Sequence, residues 1–345
     1  MANPNEPAPA GRVTIQEVAD AAKVSTATVS RVLNTPDAVR PELLQRVQEA
    51  MRELGYRVNR SARGLRATRS VQRVGFLFSS IQNPFFTDVL GGAERVLLAQ
   101  QIAIVVGNAQ NNLTYEQQYL ELMFEEEVSG IIVNFVSSSA KHYYDFAERG
   151  VPFVAIDECP AGFVADSVVT NGRDATRKAT VHLLEQGHRT FGFLGGPPFY
   201  WTAREREAGV VETLRMAGIP DEAIFVENGD YLLEGAYAAA NRLLERVSFP
   251  VAVVTCNNSA TIALLQAISE RHLRIPQDVA VVGFDEMAWT SAFNPALSVI
   301  NQHPYHIGAV AAELLLSRMR NPERPIQQVM LEPELIIRAS SLRPE

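Results

Sequence analysis

The residues of this chain best equipped for chemistry are polar or aromatic groups standing just past short apolar runs. Asn83, Phe85 and Phe86 follow the run 74–78, with Ser79 and Ser80, and Asp157 closes the run 151–157. Tyr200, Thr202 and Arg206 lie beyond 190–196, while Asn257 and Asp285 end the runs 251–257 and 279–285. In open parallel sheets, ligands bind beyond the carboxyl ends of strands, so these positions should converge on one cleft. Carboxylates, amides and a guanidinium between aromatic walls suit a neutral polyhydroxy ligand such as a sugar. Hydroxyls satisfy such groups in donor–acceptor pairs, and ring C–H faces stack on Phe. Taken singly, each position could equally be a helix cap or a solvated loop residue. Asp157 and Asp285 could also serve as an acid/base pair. However, the chain shows no G-x-S-x-G, P-loop, zinc-ligand spacing or G-x-G-x-x-G after a strand. Gly195-Gly196 is followed by two prolines, which lack the N–H groups a phosphate cradle needs. No metal, no cofactor and no enzymatic activity are expected.

A second cluster sits near the amino end, where residues 13–34 read VTIQEVADAAKVSTATVSRVLN. Ile15, Val18, Ala19 and Ala22 recur at three- and four-residue steps, predicting a short helix with a buried stripe. Val29, Val32 and Leu33 predict a second helix, Ser25 is placed to cap it, and only Lys23-Val24 separates the two. That helix turns Thr26, Ala27, Thr28, Ser30 and Arg31 outward: small and hydroxyl groups, then one guanidinium. Such a helix-turn-helix can set its second helix in a DNA major groove, with an ordinary helical hairpin as the plainer alternative. Thr14, Ser25 and Asn34 complete the set expected to face DNA. Asn34-Thr35-Pro36-Asp37 reads as a turn, and Pro41 opens a third helix that Gly55 ends. Leu43, Leu44, Val47, Ala50, Met51 and Leu54 should form its inner face.

Residues 56–70 differ in kind, with Arg57, Arg60, Arg63, Arg66 and Arg69 at every third position and Asn59, Ala62 and Leu65 between them. Too little apolar surface and Gly64 make a lone helix unstable here. A linker that becomes helical when phosphates neutralise its charge is the expected behaviour.

Positioning these groups requires an alternation of strands and helices, which begins at Arg73. Seven apolar runs, at 74–78, 102–106, 130–135, 151–157, 190–196, 251–257 and 279–285, are separated by amphipathic segments. Strand–helix–strand repetition implies parallel sheets with right-handed crossovers. With the weaker runs between them the total is about ten, which exceeds a comfortable single sheet, so two similar α/β lobes are expected behind the helical head. The expected organisation is a disordered tail over 1–11, the helix-turn-helix domain over 12–58 and a hinge over 59–70. A first lobe would comprise 72–170 with about 302–330, and a second 171–300 with about 331–343. One strand is expected near 327–338.

The chain has 345 residues, 47% of them hydrophobic, and a net charge of −8 that conceals a split. Residues 1–69 carry eleven Lys and Arg against seven Asp and Glu, a net of +4; the remainder, with twenty against thirty-two, carries −12. A basic head attracts phosphates and an acidic body repels them, so only the head should meet nucleic acid. No run approaches the ~20 apolar residues of a membrane span, and the first residues lack the apolar core of a signal peptide. Cys159 and Cys256 lie far apart among apolar residues, which favours structural thiols in a cytoplasmic protein.

TIQEVADAAKVSTATVSRVLN with ELGYRVNRSARGL, then NPFF (83–86), EQGHRTFGFLGG (185–196), IPQDVAVVGFDE (275–286) and PALSVINQHPYHIG (295–308) occur in that order. Together they resemble the lactose-repressor/galactose-repressor family of bacterial transcription regulators over nearly the whole chain after the first eleven residues. The resemblance implies a two-lobed, periplasmic-binding-protein-like core. It implies base reading by Thr26 and Ala27, and phosphate or neighbouring-base contacts by Thr28, Ser30 and Arg31. It further implies a phosphate contact by Asn59, a packing or minor-groove role for Ala62, and an apolar wedge at Leu65 between base pairs. Effector contacts fall to Phe85, Phe86, Asp157, Thr202, Arg206, Asn257, Asp285 and Gln302, with Asn83 beside them. Two departures stand out: Asn258 and Thr170 occupy places where the family usually has Asp. No leucine heptads follow the last strand, so no tetramerising coiled coil is expected. The expected function is a cytoplasmic, homodimeric repressor of a carbohydrate-utilisation operon. It would bind a near-palindromic double-stranded operator under control of a small effector and make no membrane contact. A sugar is the first choice of effector, a sugar acid the second and a purine the third. A solute-binding protein of a transporter is the other class, opposed by the basic head.

Overall fold

The computed structural model describes residues 14–34, 39–54, 72–136, 141–158 and 162–343. The chain divides into two compact units, residues 1–70 and 71–345.

In the first unit, three helices form: α1 (Ile15–Ala21), α2 (Thr26–Asn34) and α3 (Pro41–Glu53). Thr14 starts α1 with a capping box, its hydroxyl accepting from the Glu17 N–H while the Glu17 carboxylate accepts from the Thr14 N–H. Lys23 takes a left-handed conformation (φ 53°) in the tight turn before α2. Val18, Ala19, Ala22, Val29, Val32, Val47 and Ala50 make the buried cluster, with Ile15, Leu44 and Met51 packed against it. The Arg46 guanidinium on α3 donates to the Ala22 carbonyl (2.5 Å), tying the third helix to the turn. Leu54, expected inside, is 38% exposed because it stands at the C-cap, where the helical face has already ended. The side chains of Leu33 and Asn34 lie outside the described ones.

The second unit runs β1 (Arg73–Phe78), α4 (Pro84–Ala99), β2 (Ala103–Asn108), α5 (Leu113–Glu125), β3 (Ile131–Val133), α6 (Lys141–Glu148), β4 (Phe153–Ile156) and β5 (Asp166–Thr170). It continues through α7 (Gly172–Glu185), β6 (Phe191–Gly195), α8 (Trp201–Met216), β7 (Ile224–Asn228), α9 (Leu233–Arg246), β8 (Val251–Thr255), α10 (Asn258–Glu270), β9 (Val279–Phe284) and β10 (Ser298–Asn301). The end of the chain supplies α11 (Pro304–Arg320), β11 (Gln328–Leu331) and β12 (Glu334–Ile336). Two six-stranded sheets result, ordered β11-β5-β4-β3-β1-β2 and β12-β10-β9-β8-β6-β7. Every pairing is parallel except β10 with β12, which is antiparallel. β1, β4, β8 and β9 are almost wholly buried, as strands covered on both faces must be.

The chain passes from one sheet to the other after β5, after β10 and between β11 and β12. The single strand expected near 327–338 is therefore two strands in different sheets. Pro333 lies between them and cannot donate to a ladder, so pairing stops there and resumes on the other lobe. In the first lobe α11 packs on α4 at glycine contacts. A Cβ at Gly92 would come within 1.9 Å of the Tyr305 carbonyl oxygen, and one at Gly308 within 1.8 Å of the Val89 carbonyl oxygen. The carboxylate of Asp166, fully buried at the start of β5, accepts from Arg318 (3.0 Å), Arg324 (2.7 Å) and the Gln327 N–H (2.8 Å). This pins the returning chain to the sheet it rejoins.

Candidate functional site

On the head, the first turn of α2 carries no acidic residue and presents Ala27 exposed and Thr26 half-buried. The Ser25 hydroxyl accepts from the Thr28 N–H (3.2 Å) and shares a hydrogen bond with the Thr28 hydroxyl (2.9 Å). It thus caps α2, as its position in sequence predicts. Thr14 is engaged in the same way at α1, donating its hydroxyl to Glu17 (2.9 Å). The backbone N–H and then the hydroxyl of Thr14 hold the Glu17 carboxyl below the usual carboxylate range. Arg31 is exposed at the end of α2 and Ser30 half-buried. Few groups on this surface can specify a base, and those near the helix start are partly committed to the backbone. The hinge candidates Asn59, Ala62 and Leu65 lie outside the described residues.

In the second unit, a cavity of about 300 Å³ opens where the carboxyl ends of both sheets face each other. All nine residues expected there line it: Asn83, Phe85, Phe86, Asp157, Thr202, Arg206, Asn257, Asp285 and Gln302. Their roles differ. Asn83 and Asn257 spend their side-chain oxygens on helix N-termini, accepting from the Phe85 N–H (3.0 Å) and the Ala260 N–H (2.8 Å). Phe85 and Phe86 are buried, edge to face at 5.1 Å, and Phe86 stacks on Phe78 at 6.0 Å, so part of the aromatic surface belongs to the core.

Asp157, Asp285 and Gln302 form one network around Arg206, which is 4% exposed. Its Nη1 donates to the Cys256 carbonyl (2.8 Å) and its Nη2 to Asp157 (3.2 Å) and Gln302 (3.1 Å). Phe284 lies beneath the guanidinium at 4.3 Å, and a Cβ at Gly172 would come within 2.9 Å of the Arg206 Cγ. Gln302 donates to Asp285 (2.6 Å) while its oxygen accepts from Thr170 (2.8 Å) and Arg206. Asp157 and Asp285 both follow a strand in the left-handed region, at φ 62° and 70°. Such backbone costs on the order of 1–3 kcal/mol and gathers at functional sites. It turns each carboxylate out of the strand and over the sheet end. Burial raises the Asp157 carboxyl, with Arg206 opposing, and pushes the Asp285 carboxyl up to about 6 against Gln302 and Arg206.

The two departures from the family pattern have a common physical sense. Asn258 donates both to Asn83 (2.6 Å) and to Asp285 (3.3 Å), and Thr170 donates to the Gln302 oxygen. An ionised carboxylate at either place would set acceptor against acceptor.

Sequence reasoning missed Glu158, which reaches across the cleft, and placed Tyr200 there without its partner in the opposite lobe. The carboxylate of Glu158, 4% exposed, accepts from the Trp201 N–H (3.0 Å), the Thr202 N–H (3.1 Å) and the Thr202 hydroxyl (3.1 Å) at the start of α8. The Tyr200 hydroxyl donates to the Val136 carbonyl (2.7 Å), and its ring stacks on Tyr231 at 5.5 Å. Burial raises the Glu158 carboxyl and pushes the Tyr200 hydroxyl up to about 12. Strand alternation would point neighbours Asp157 and Glu158 to opposite faces; the left-handed residue at Asp157 defeats that rule. Among the described residues no cluster of His, Cys, Asp and Glu could hold a metal ion, and no helix is long and apolar enough to cross a membrane. Cys256 is a free, buried thiol, pushed up to about 12 by burial; Cys159 lies outside the described residues.

A three-helix head with a helix-turn-helix and two parallel α/β lobes around a polar cleft define a DNA-binding regulator. The sequence pattern of bacterial regulatory proteins of the lacI family matches residues 14–59, and that of the periplasmic binding protein-like domain matches residues 180–341. The chain is 32% identical over 331 residues to the HTH-type transcriptional repressor PurR of Escherichia fergusonii, covering 95% of this chain and 96% of that protein. It is 29% identical over 327 residues to the ribose operon repressor of Haemophilus influenzae, covering 95% and 98%. The lac repressor dimer bound to operator and the anti-inducer ONPF superimposes with a TM-score of 0.78 at 26% identity, over 96% of this chain and 100% of that one. The chain belongs to the lacI family of bacterial regulatory proteins. It is a DNA-binding transcriptional repressor and not an enzyme.

Proposed function

We propose that this repressor is a cytoplasmic homodimer whose grip on a near-palindromic operator is set by a neutral sugar, serving a carbohydrate-utilisation operon. The observation carrying the sugar reading is the network of Asp157, Arg206, Gln302 and Asp285 at the edge of a cavity of about 300 Å³. That volume is at the small end for ligand pockets, which suits a monosaccharide. Alternating acceptors and donors on its wall match hydroxyls, each of which both gives and takes a hydrogen bond. A relative that is a ribose operon repressor supports the same choice. A sugar acid fits less well, because the Arg206 guanidinium is already paired with the Asp157 carboxylate. A purine stacked on Phe86 would have to use the ring face that Phe78 does not cover, and one stacked on Phe85 is the other form of that reading. The proposed residues for effector contact are Asp157, Arg206, Asp285, Gln302 and Thr202, with Phe85, Phe86, Asn83 and Asn257 shaping the walls. For the operator they are Thr26, Ala27, Thr28, Ser30 and Arg31, assisted by Thr14, Ser25, Asn34, Asn59, Ala62 and Leu65. Two head domains would read two half-sites, matching a two-fold operator to a two-fold protein.

A thermal-shift panel of aldoses, sugar acids and purines tests the effector. A ligand at 100 times its Kd adds roughly 2.7 kcal/mol to stability. Footprinting on the promoter region of the protein's own gene, with and without each stabilising compound, tests the coupling, which must be reciprocal. A panel in which only purines stabilise the protein would replace the sugar reading, and the absence of any footprint would remove the operator assignment.

A further inference from the structure

Two features of the cleft would each attract an anion: the buried guanidinium of Arg206 and the start of α8, a helix of sixteen residues with no side-chain cap of its own at Tyr200. A helix start combines unpaired N–H groups with the positive end of the helix dipole, so negative charge is stabilised there. In this chain the place is taken. Glu158, carried on the opposite lobe just past β4, puts one carboxylate oxygen on the Trp201 N–H and the other on the Thr202 N–H and hydroxyl. Arg206, one and a half turns further along α8, is charge-paired with Asp157 and also donates to the Cys256 carbonyl and the Gln302 side-chain oxygen. The cavity wall therefore carries Glu158, Asp157 and Asp285 against one guanidinium.

We propose that Glu158 is a specificity-determining residue: an internal counter-ion that fills the α8 start and bars carboxylate- or phosphate-bearing effectors from the cleft, leaving it to neutral polyols. This rests on the reading of the cleft as the effector site. It reaches beyond that reading by assigning the charge selectivity to a residue that need not touch a neutral ligand at all. A second anion near the helix start would lie within a few ångströms of Glu158. Two like charges at that distance repel strongly in a site shielded from water. Removing the Glu158 charge should free the Trp201 and Thr202 donors for an anion from solution.

The experiment compares the full-length protein with Glu158→Ser and the isosteric Glu158→Gln, using D-glucose, D-ribose, D-gluconate and inorganic phosphate as probes in calorimetric titration and thermal shift. Wild-type protein should bind an aldose and give no heat with gluconate or phosphate. Glu158→Ser should bind at least one of the two anions at least 10-fold more tightly than wild type does. Glu158→Gln, which keeps an acceptor but no charge, should gain less. If Glu158→Ser does not fold, any gain in Glu158→Gln carries the test, because that variant keeps the size and one oxygen acceptor. No gain of anion affinity in a folded variant, or wild-type binding of gluconate as tight as that of glucose, overturns the assignment. Failure of the effector reading looks different: neither aldose binds wild type while the variants still gain phosphate.

Discussion

In the head, the candidate reading groups sit on the outside of seven small buried residues; in the cleft, they are themselves buried beside two large cores. The candidate face of the head offers the Arg31 guanidinium, the Ala27 methyl and a few hydroxyls, of which those of Thr14, Ser25 and Thr28 hydrogen-bond within the head. In the cleft Arg206 and Gln302 are each held by three partners, and two backbone residues are strained to place carboxylates. The difference follows from what each surface must do. An operator supplies a long phosphate surface, so affinity can come from charge while specificity is shared with DNA shape. A small polar ligand supplies few contacts, so the site must hold its groups in place before the ligand arrives.

The largest test of that contrast is Arg206→Ala. It leaves Asp157 and Gln302 without their buried partner, which should lower core stability by about 3–5 kcal/mol and abolish stabilisation by any sugar. Melting monitored with a sugar panel measures both, and retention of sugar binding would break the cleft side of the comparison. Next comes Asp285, whose carboxyl is raised in the fold from 3.8 to about 6. Below about pH 4 the carboxyl is protonated in both the folded and unfolded chains, and its stability contribution is fully present. As pH rises towards 6 the unfolded chain loses the proton first, so stability falls through the folded pKa and levels off above it. At about 1.4 kcal/mol per unit this amounts to roughly 2–3 kcal/mol, absent from Asp285→Asn in urea titrations at pH 4 to 8. A sugar hydroxyl donating to Asp285 favours its ionised form, so sugar affinity should rise from pH 5 to 7 in wild type only.

The head should show smaller effects with larger consequences. Val29→Ala removes fully buried volume from a seven-residue core and should cost about 1–2 kcal/mol, lowering operator affinity while leaving the core's melting unchanged. Thr14→Ala removes the capping box and should cost about 1 kcal/mol. If that variant also lost operator affinity beyond what its stability explains, Thr14 would reach DNA as well as cap its helix. Head stability is readable by amide exchange, separately from the core.

Much of the architecture was legible because both units follow strong periodicities. The helix-turn-helix shows in the spacing of Val18, Val29 and Val32, and the sheets in apolar runs followed by Asp157, Asn257 and Asp285. The edge strands were harder. β7 and β12 are only half-buried and short, and β11 and β12 are separated by Glu332-Pro333 alone, so a single run conceals a change of lobe. Within the cleft, residue type and strand position found Asp157, Arg206 and Asp285. They could not tell that Asn83 and Asn257 are caps, nor that Glu158 crosses to another helix.

The sequence by itself determined that a hydroxyl-bearing helix pair and an arginine-rich stretch precede an acidic α/β core, because charge balance and periodicity are local properties of the chain. Only the tertiary structure decided which polar groups meet. Gln302 stands 132 positions from Thr170 and Glu158 43 from Trp201, and their pairing depends on two sheets being brought end to end. A hydrogen bond needs about 3 Å and an angle, which no spacing along a chain of that length can convey.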